Sequence, residues 1–306
     1  MIGKSKLEDY TFKMSVLIYL PVFNDETRIS RSVESVLKQS YPNWRLIISD
    51  NNSTDNTLKL IQPYLLDERI NCVSLKNHVS GDINFNNIEK FFLDGSEFDY
   101  VCWLGSDDYW GDENYLSNLV STFLETRTNN KIKLVLPIFS EIPKFSSKNS
   151  IEVRIDIVNR FYLFRIIELF KVWGSVNLIY GLYDKRFFMD VLTKKFSRLT
   201  GSNKYTDWWW AYYVLKKTTP AICFGSYYFK DDFKIISQKR ISRFKNLILT
   251  LRFTPDLFKS KILLIRFSNF CDFLFIFIFA LSKTIIDLSH IIRRTIKRVI
   301  KVLPNT

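Results

Sequence analysis

The stretch RLIISDNNSTDNT, residues 45–57, carries the strongest structural signal in the chain. Its apolar run over 45–49 predicts a buried strand, and the polar loop after it leads into a helix. Ser53 is the expected N-cap of that helix, with Asp55 in its first turn. A strand that is apolar throughout is typical of a parallel sheet covered by helices. The stretch therefore predicts an α/β fold.

The same alternation of strand and helix extends to both sides of this stretch. Apolar runs at 15–20, 70–75 and 100–104 predict three more strands, the first of which is expected to end at Pro21. Helical spacing of apolar residues over 26–40 predicts a helix before 45–49. The pattern predicts a mostly parallel sheet with helices on both faces. The other expected elements are helices over 82–94, 157–171 and 206–217 and a strand at 133–137.

Three of the predicted strands end in polar clusters, PVFNDE at 21–26, SDNNSTD at 49–55 and GSDD at 105–108. Ligands of parallel sheets bind beyond the carboxyl ends of the strands, so we expect the three clusters to meet at one edge. The neighbouring carboxylates of Asp107 and Asp108 repel each other unless they share a cation, and Mg²⁺ or Mn²⁺ prefers such oxygen ligands. The alternative interpretation is an ordinary turn.

The net charge of +13 belongs largely to the end of the chain, because residues 230–306 contain 16 lysines and arginines against 5 aspartates. The apolar run FLFIFIFAL at 273–281 is only about half as long as the roughly 20 residues of a membrane-spanning helix. Over 262–303, apolar residues at helical spacing alternate with basic ones. This segment predicts an amphipathic helix at an anionic membrane surface, or else a helix packed on the sheet domain with a solvated basic face.

Composition excludes several classes of protein. Four scattered cysteines disfavour a zinc knuckle or a disulfide framework and favour a reducing cytoplasm. Two histidines, His78 and His290, leave little for a histidine metal cluster or a Ser–His triad. The N-terminus has no apolar run, which predicts no signal peptide. We expect an N-terminal tail over 1–13, a sheet domain over 14–230 and a basic helical extension over 231–306.

Three motifs together resemble the family 2 glycosyltransferases, enzymes of the GT-A fold that use nucleotide sugars. The matching pieces are VLIYLPVFND at 16–25, SVESVLKQSYPNWRLIISDNNSTDNT at 32–57 and WLGSDDYW at 103–110. The resemblance covers about 15–110 well and is weaker beyond. It implies a glycosyltransferase that moves one sugar from a nucleotide-diphosphate donor to a glycan or lipid-linked acceptor, with inversion and with assistance from a metal ion.

The resemblance also implies roles for the three polar strand ends. They would form a pocket for the nucleotide sugar and for a divalent cation, Mn²⁺ or Mg²⁺. Many family members have an aspartate where this chain has Gly105, so the aspartate that binds the metal directly stays open. The expected metal ligands are Asp107 and Asp108. The expected nucleotide-sugar contacts are Pro21, Val22, Phe23, either Asp50 or Asn51, and Asp107.

The catalytic base of such an enzyme is a carboxylate in the second half of the chain that accepts the proton of the acceptor hydroxyl. KYTDWWWAYY at 204–213 fits this role and makes Asp207 the expected base, at a helix N-terminus that favours the ionised form. A plain N-cap is the alternative, and Asp184 and Asp156 are the other candidates. QKRISRF at 238–244 lacks the Gln-x-x-Arg-Trp motif of processive members, which predicts transfer of a single sugar.

Three other functions are open: a sugar-nucleotide pyrophosphorylase, a basic nucleic-acid-binding or membrane-binding protein, and a non-catalytic homologue. PVFNDE has no glycine, which disfavours the first, because pyrophosphorylases resemble one another in a Gly-rich loop after strand one. Nucleic acid does not require the apolar stripe of 262–303, so no nucleic acid is expected as a partner. The expected location is cytoplasmic, peripheral on the inner face of the membrane.

Overall fold

Nine strands join in one sheet within the residues that the structure, a computed structural model, describes: 13–88, 98–126, 131–141, 151–152, 177–193 and 206–230. The strands are β1 Val16–Val22, β2 Trp44–Asp50, β3 Ile70–Ser74, β4 Tyr100–Trp103, β5 Tyr109–Trp110, β6 Leu134–Glu141, β7 Ile151–Glu152, β8 Leu182–Asp184 and β9 Ala221–Lys230. The helices are α1 Ile29–Leu37, α2 Thr57–Ile61, α3 Gly81–Asn86, α4 Tyr115–Glu125, α5 Lys185–Thr193 and α6 Thr206–Lys217. Two 3₁₀ turns are Gln62–Leu66 and Asn177–Tyr180.

The sheet is mixed. Its order is β3-β2-β1-β4-β8-β6-β9-β5, with β7 paired to β6. The pairings among β3, β2, β1 and β4 are parallel, and so is β6 with β9. The pairings of β8 with β4 and β6, of β9 with β5 and of β6 with β7 are antiparallel. The α/β class is confirmed, and most of the paired residues lie in the parallel ladders. Short antiparallel pairings occur beyond β4, where the strand–helix alternation that favours parallel pairing stops.

Helices cover both faces of the sheet, as predicted. On one face, the alternate residues of β1 that include Ile18 and Leu20 lie in a core with the apolar faces of α1 and α4. On the other face, the Tyr19 hydroxyl donates to the Asn84 carbonyl of α3 at 2.7 Å, and the Tyr19 ring lies 4.9 Å from that of Trp103. The Trp103 ring in turn contacts α5, which closes this second layer.

Two local predictions were wrong. Pro21 does not end β1, which continues to Val22 and stays paired with β2. The pairing of β1 with β4 ends at Tyr19, so the proline, which lacks an N–H, interrupts no hydrogen bond to β4. Ser53 is not an N-cap, because α2 begins at Thr57 after Asn56.

Residues 1–12 of the predicted N-terminal tail over 1–13 lie outside the described residues, and so do Asp156, the predicted helix over 157–171 and the basic extension over 231–306. Within the part that is described, no helix has the length and apolar character needed to cross a membrane. The three described cysteines, Cys72, Cys102 and Cys223, are free thiols.

Candidate functional site

The carboxyl ends of β1, β2 and β4 meet at one edge of the sheet. In the β1–β2 register Val22 lies beside Asp50, and the next backbone N–H, that of Asn51, donates to the Val22 carbonyl at 2.8 Å. On the other side of β1, the Leu104 N–H donates to the Tyr19 carbonyl at 3.0 Å. The predicted convergence of the three polar strand ends is therefore confirmed.

The loops that follow β1 and β2 are joined by side-chain hydrogen bonds. The Asn24 N–H donates to Ser53 Oγ at 3.0 Å, and Asn24 Oδ1 accepts the Thr54 N–H at 2.8 Å. Glu26 Oε2 accepts the Asn56 N–H at 2.9 Å. These bonds satisfy backbone N–H groups that have no partner in the β-sheet, and they hold the two loops together. They also explain why Ser53 stays in the loop and caps no helix.

Asp25 links all three strand ends although it is almost fully buried. Its Oδ1 accepts from Arg28 Nε at 2.6 Å, its Oδ2 accepts from Ser106 Oγ at 2.7 Å, and its N–H donates to Thr57 Oγ1 at 2.8 Å. Arg28 also reaches toward Asp107, whose Oδ2 lies 3.7 Å from Nη1. Sequence reasoning missed this role of Asp25, and its position within PVFND is the only available signal.

Two polar side chains of helix α1 bond to the backbone of the loop after β4. Arg31 Nη2 donates to the Asp107 carbonyl at 3.0 Å. The Ser32 hydroxyl lies 2.6 Å from the carbonyl oxygens of both Ser106 and Asp108. Nothing in the helical pattern of 26–40 marks these polar positions, because polar residues on a helix are ordinarily solvated. The loop backbone is thus fixed while the Asp107 side chain projects outward.

The two adjacent aspartates occupy different environments. The Asp107 side chain is 41% exposed, whereas Asp108 is 2% exposed. The Tyr228 hydroxyl donates to Asp108 Oδ2 at 2.9 Å and accepts the Gly105 N–H at 3.0 Å. Burial, reinforced by the neighbouring Asp108 carboxylate, raises the pKa of the Tyr228 hydroxyl well above its ordinary value, so that it stays a donor. Tyr228 is a second residue that sequence reasoning missed.

Both carboxylates face the backbone at Gly105. A Cβ at this position would lie 2.7 Å from Asp108 Oδ2 and 3.0 Å from Asp107 Oδ1. Two carboxylates next to each other suit a divalent cation whose other ligands are phosphate oxygens and water. No group of three or more His, Cys, Asp or Glu side chains suitable for a metal occurs among the described residues. The carboxylate pair therefore fits a divalent ion that also binds a phosphate ligand.

Two aromatic rings flank the loops after β1 and β3. Phe23 is 43% exposed, and its ring centroid lies 4.1 Å from that of His78. His78 is itself exposed, with Nδ1 3.3 Å from the Asn51 carbonyl. Of the other predicted pocket residues in this strand, Pro21 is half-buried and Val22 is buried. Phe23 and His78 thus present an accessible aromatic surface at the edge.

Asp50 and Asn51 are buried beneath that surface. The Asp50 carboxylate accepts the Ser53 N–H at 3.2 Å from Oδ1. Asn51 uses both ends of its amide on the backbone of Val79, with Nδ2 donating at 2.8 Å and Oδ1 accepting at 2.9 Å. Asn51 therefore fixes the position of the loop that carries His78.

The candidates for the base lie on separate elements. Asp207 is the second residue of α6, and its side chain lies outside what the structure describes. Asp184 pairs with Tyr100, the first residue of β4, so it lies at the opposite end of that strand from Asp107. Its Oδ1 accepts the Phe187 N–H at 2.9 Å and caps α5.

The geometry agrees with the result of a comparison against protein families. The sequence profile described as Glycosyl transferase family 2 matches residues 17–168, about half of the chain, and this range includes all three strand ends. The chain belongs to glycosyl transferase family 2.

Curated relatives of this family 2 chain include bacterial glycosyltransferases. The putative teichuronic acid biosynthesis glycosyltransferase TuaG of Bacillus subtilis is 37% identical over 100 residues, which cover 32% of this chain and 38% of TuaG. The UDP-Glc:alpha-D-GlcNAc-diphosphoundecaprenol beta-1,3-glucosyltransferase WfgD of Escherichia coli is 34% identical over 105 residues, 34% of this chain and 38% of WfgD. The chain thus spans less than two fifths of the length of either relative.

Solved structures extend the comparison of this family 2 chain beyond the profile. TarS 1–349 of S. aureus superposes with a TM-score of 0.54 at 16% identity, covering 85% of this chain and 74% of that chain. The same protein in complex with UDP-GlcNAc gives a TM-score of 0.52 at 16% identity, covering 79% and 66%. The likeness confirms the predicted GT-A-type fold.

Proposed function

We propose that this chain is a metal-assisted, inverting glycosyltransferase that moves one sugar from a nucleotide-diphosphate sugar to a glycan or lipid-linked acceptor. The observation that carries the proposal is the joining of the three strand ends through Asp25 and Arg28, with the exposed carboxylate of Asp107 beside Arg28. A framework of buried hydrogen bonds around one exposed carboxylate is an arrangement for binding a ligand, because the framework fixes the side chain before the ligand arrives.

The nucleoside would bind against the rings of Phe23 and His78. Both rings are exposed and adjacent, and flat apolar surfaces of this kind stack on a nucleobase. Pro21 and Val22 would line the pocket beneath Phe23. Asp50 or Asn51 would contact the base, as the resemblance implies; both are buried, Asp50 accepts the Ser53 N–H, and Asn51 uses both ends of its amide on Val79.

The diphosphate would bind at Asp107 and Asp108 through Mn²⁺ or Mg²⁺. Both carboxylates face Gly105, and their fit to a shared divalent ion supports this assignment. Such an ion, when bound, neutralises the charge that develops on a diphosphate leaving group. The contribution of the chain is to hold two carboxylates against their mutual repulsion, with Tyr228 donating to Asp108 and Arg28 near Asp107.

Asp207 is our candidate for the base. It would accept the proton of the acceptor hydroxyl while that oxygen forms a bond to the anomeric carbon and the bond from this carbon to the diphosphate breaks. Attack from the face opposite the leaving group inverts the anomeric centre. The start of α6, a helix of 12 residues, favours an ionised carboxylate at this position.

A lipid-linked acceptor at a membrane surface is the acceptor class we favour. The name of WfgD specifies a diphosphoundecaprenol-linked acceptor. Segment 262–303 combines basic and apolar residues in the pattern that binds an anionic interface, so we propose a peripheral position on the cytoplasmic face. Flotation of the protein with anionic and with neutral liposomes tests this part. Equal recovery in both preparations would argue against it.

The experiment for the donor site is a thermal-shift panel of nucleoside diphosphates, each with and without Mn²⁺. At 100 times the dissociation constant, a ligand that binds the native state alone stabilises it by about 2.7 kcal/mol. We expect one diphosphate to raise the melting temperature in a Mn²⁺-dependent manner, and the matching monophosphate to have little effect. A melting temperature that no nucleotide changes would contradict the proposal.

A further inference from the structure

Tyr228 connects the end of the sheet domain with the loop after β4. Its O–H donates to Asp108 Oδ2 at 2.9 Å, and the same hydroxyl oxygen accepts the Gly105 N–H at 3.0 Å. One buried atom therefore fixes both a carboxylate of the Asp107–Asp108 pair and the backbone at the start of the motif. Neither contact is local, because 120 residues separate Tyr228 from Asp108.

The ring of Tyr228 has little freedom to move. It is fully buried, and its centroid lies 4.8 Å from that of Tyr180, 5.5 Å from that of Phe139 and 6.5 Å from that of Tyr115. Its backbone is paired with Trp110, two residues after Asp108. Because interiors are close-packed, the hydroxyl cannot change position without repacking these rings. The position of the Asp108 carboxylate is therefore set by the packing of these rings.

That position matters for the neighbouring carboxylate. Asp108 Oδ2 lies where a side chain at position 105 would have to lie, and Asp107 Oδ1 borders the same space. A shift of the Asp108 carboxylate therefore changes both the volume over Gly105 and the spacing of the two carboxylates. The hydroxyl of Tyr228 also satisfies a charge that is 2% exposed, and an unsatisfied buried carboxylate is costly.

We propose that Tyr228 is a positioning residue of the donor site, whose hydroxyl holds Asp108 and Gly105 so that the 107–108 carboxylates bind the metal–diphosphate group together. This inference rests on the proposed function. It assigns Tyr228 no direct contact with the ligand. Its action passes through Asp108, so its loss changes the affinity for cation and diphosphate and leaves the aromatic surface at Phe23 unchanged.

Tyr115→Phe is a matched control for Tyr228→Phe. Both residues are fully buried tyrosines in the same aromatic group, and each variant removes one hydroxyl and keeps the ring. Within the described part of the chain, the Tyr115 hydroxyl has no hydrogen-bond partner. Calorimetry would measure binding of the nucleoside diphosphate selected by the panel, with and without Mn²⁺, to the wild type and to both variants.

We expect Tyr228→Phe to weaken Mn²⁺-dependent diphosphate binding about 10- to 100-fold, the range for partners that orient metal ligands, and Tyr115→Phe to stay within twofold of wild type. Binding of the nucleoside without phosphates should be equal in all three proteins. If Tyr228→Phe binds as the wild type does, or if both variants lose affinity equally, the inference is overturned. A wild type that binds no nucleotide overturns the proposed function and this inference with it.

Discussion

The two halves of the sheet are held together by different interactions. In the parallel half, β3-β2-β1-β4, the loops at the carboxyl edge are joined by polar side chains such as Asn24 and Asp25. In the other half, the described contacts are dominated by rings, with Trp210 lying 5.4 Å from Phe188 and donating its indole N–H to the Tyr183 hydroxyl at 3.2 Å. Hydrogen bonds fix directions, whereas apolar packing mainly fills volume. The parallel half therefore carries most of the groups that orient a ligand, and the other half mainly contributes stability, with Tyr228 of β9 as an exception because it bonds Asp108.

The largest effect is expected for Asp107→Asn. The substitution keeps the shape of the side chain but removes the exposed negative charge beside Arg28. Transfer activity should fall about 100-fold or more, the scale for losing one electrostatic group of a catalytic site. Steady-state kinetics on the donor identified by the panel measure this. Thermal unfolding should change little, because the side chain is exposed.

Asp99→Asn is the control for that substitution. Asp99 lies just before β4, at the opposite end of the strand from Asp107, where its Oδ2 accepts the Ser15 N–H at 2.8 Å. We expect its activity to remain within about twofold of wild type. An equal loss of transfer activity in both variants would mean that the carboxyl end of β4 has no special role in catalysis.

Asp25→Ala should have the largest effect on stability in the parallel half. It removes the carboxylate that accepts from Arg28 and Ser106, at a cost of about 2–3 kcal/mol for buried bonds to a charged group. Urea unfolding measures the change. The control is Asp67→Ala, which breaks the more exposed pair with Arg69 and should cost less than about 1 kcal/mol. Equal costs would mean that Asp25 does not link the loops.

The sequence predicts the parallel half well, because its information is local. Strands β1, β2 and β4 are read from apolar runs that end in polar residues, so the pattern alone predicts that Asp50 and Asp107 approach the same edge. The order of the antiparallel strands was not predicted, because their pairings join distant segments, such as Trp110 with Tyr228.

The missed site residues share one property. Asp25, Arg28 and Tyr228 act through contacts between elements, and neither their spacing nor their neighbours in the chain distinguish them from a surface aspartate, a helix arginine and a core tyrosine. Periodicity predicts which face of an element is buried. It does not predict which polar group on that face meets a polar group from another element.

Phe188→Leu tests the aromatic half. Phe188 is fully buried among the rings of Trp103, Tyr183 and Trp210, so the substitution loses volume and ring contacts worth about 1.5 kcal/mol. Chemical denaturation measures this loss. Nucleotide affinity, measured where the variant is folded, should stay within about twofold. A tenfold loss of affinity would show that the packing around Phe188 also positions the nucleotide site.

The smallest effects are expected at the two left-handed asparagines. Asn24 and Asn52 have φ of 47° and 64°, a region that costs most L-residues roughly 1–2 kcal/mol. Asn52→Ala should destabilise by about 1 kcal/mol or less. Asn24→Ala should cost more, since the Asn24 side chain also bonds Thr54. Urea unfolding of both variants measures the two losses of stability. A larger loss for Asn52→Ala would contradict the role of Asn24 in joining the loops after β1 and β2.

The central claim is that one edge of the sheet binds a nucleotide diphosphate together with a divalent cation. The most direct measurement is a crystal structure with the nucleoside diphosphate and Mn²⁺, in which anomalous scattering locates the ion. We expect an anomalous peak at the Asp107 carboxylate and a base against Phe23. An ion and nucleotide bound elsewhere, for example at the amino ends of β1 and β4, would contradict it.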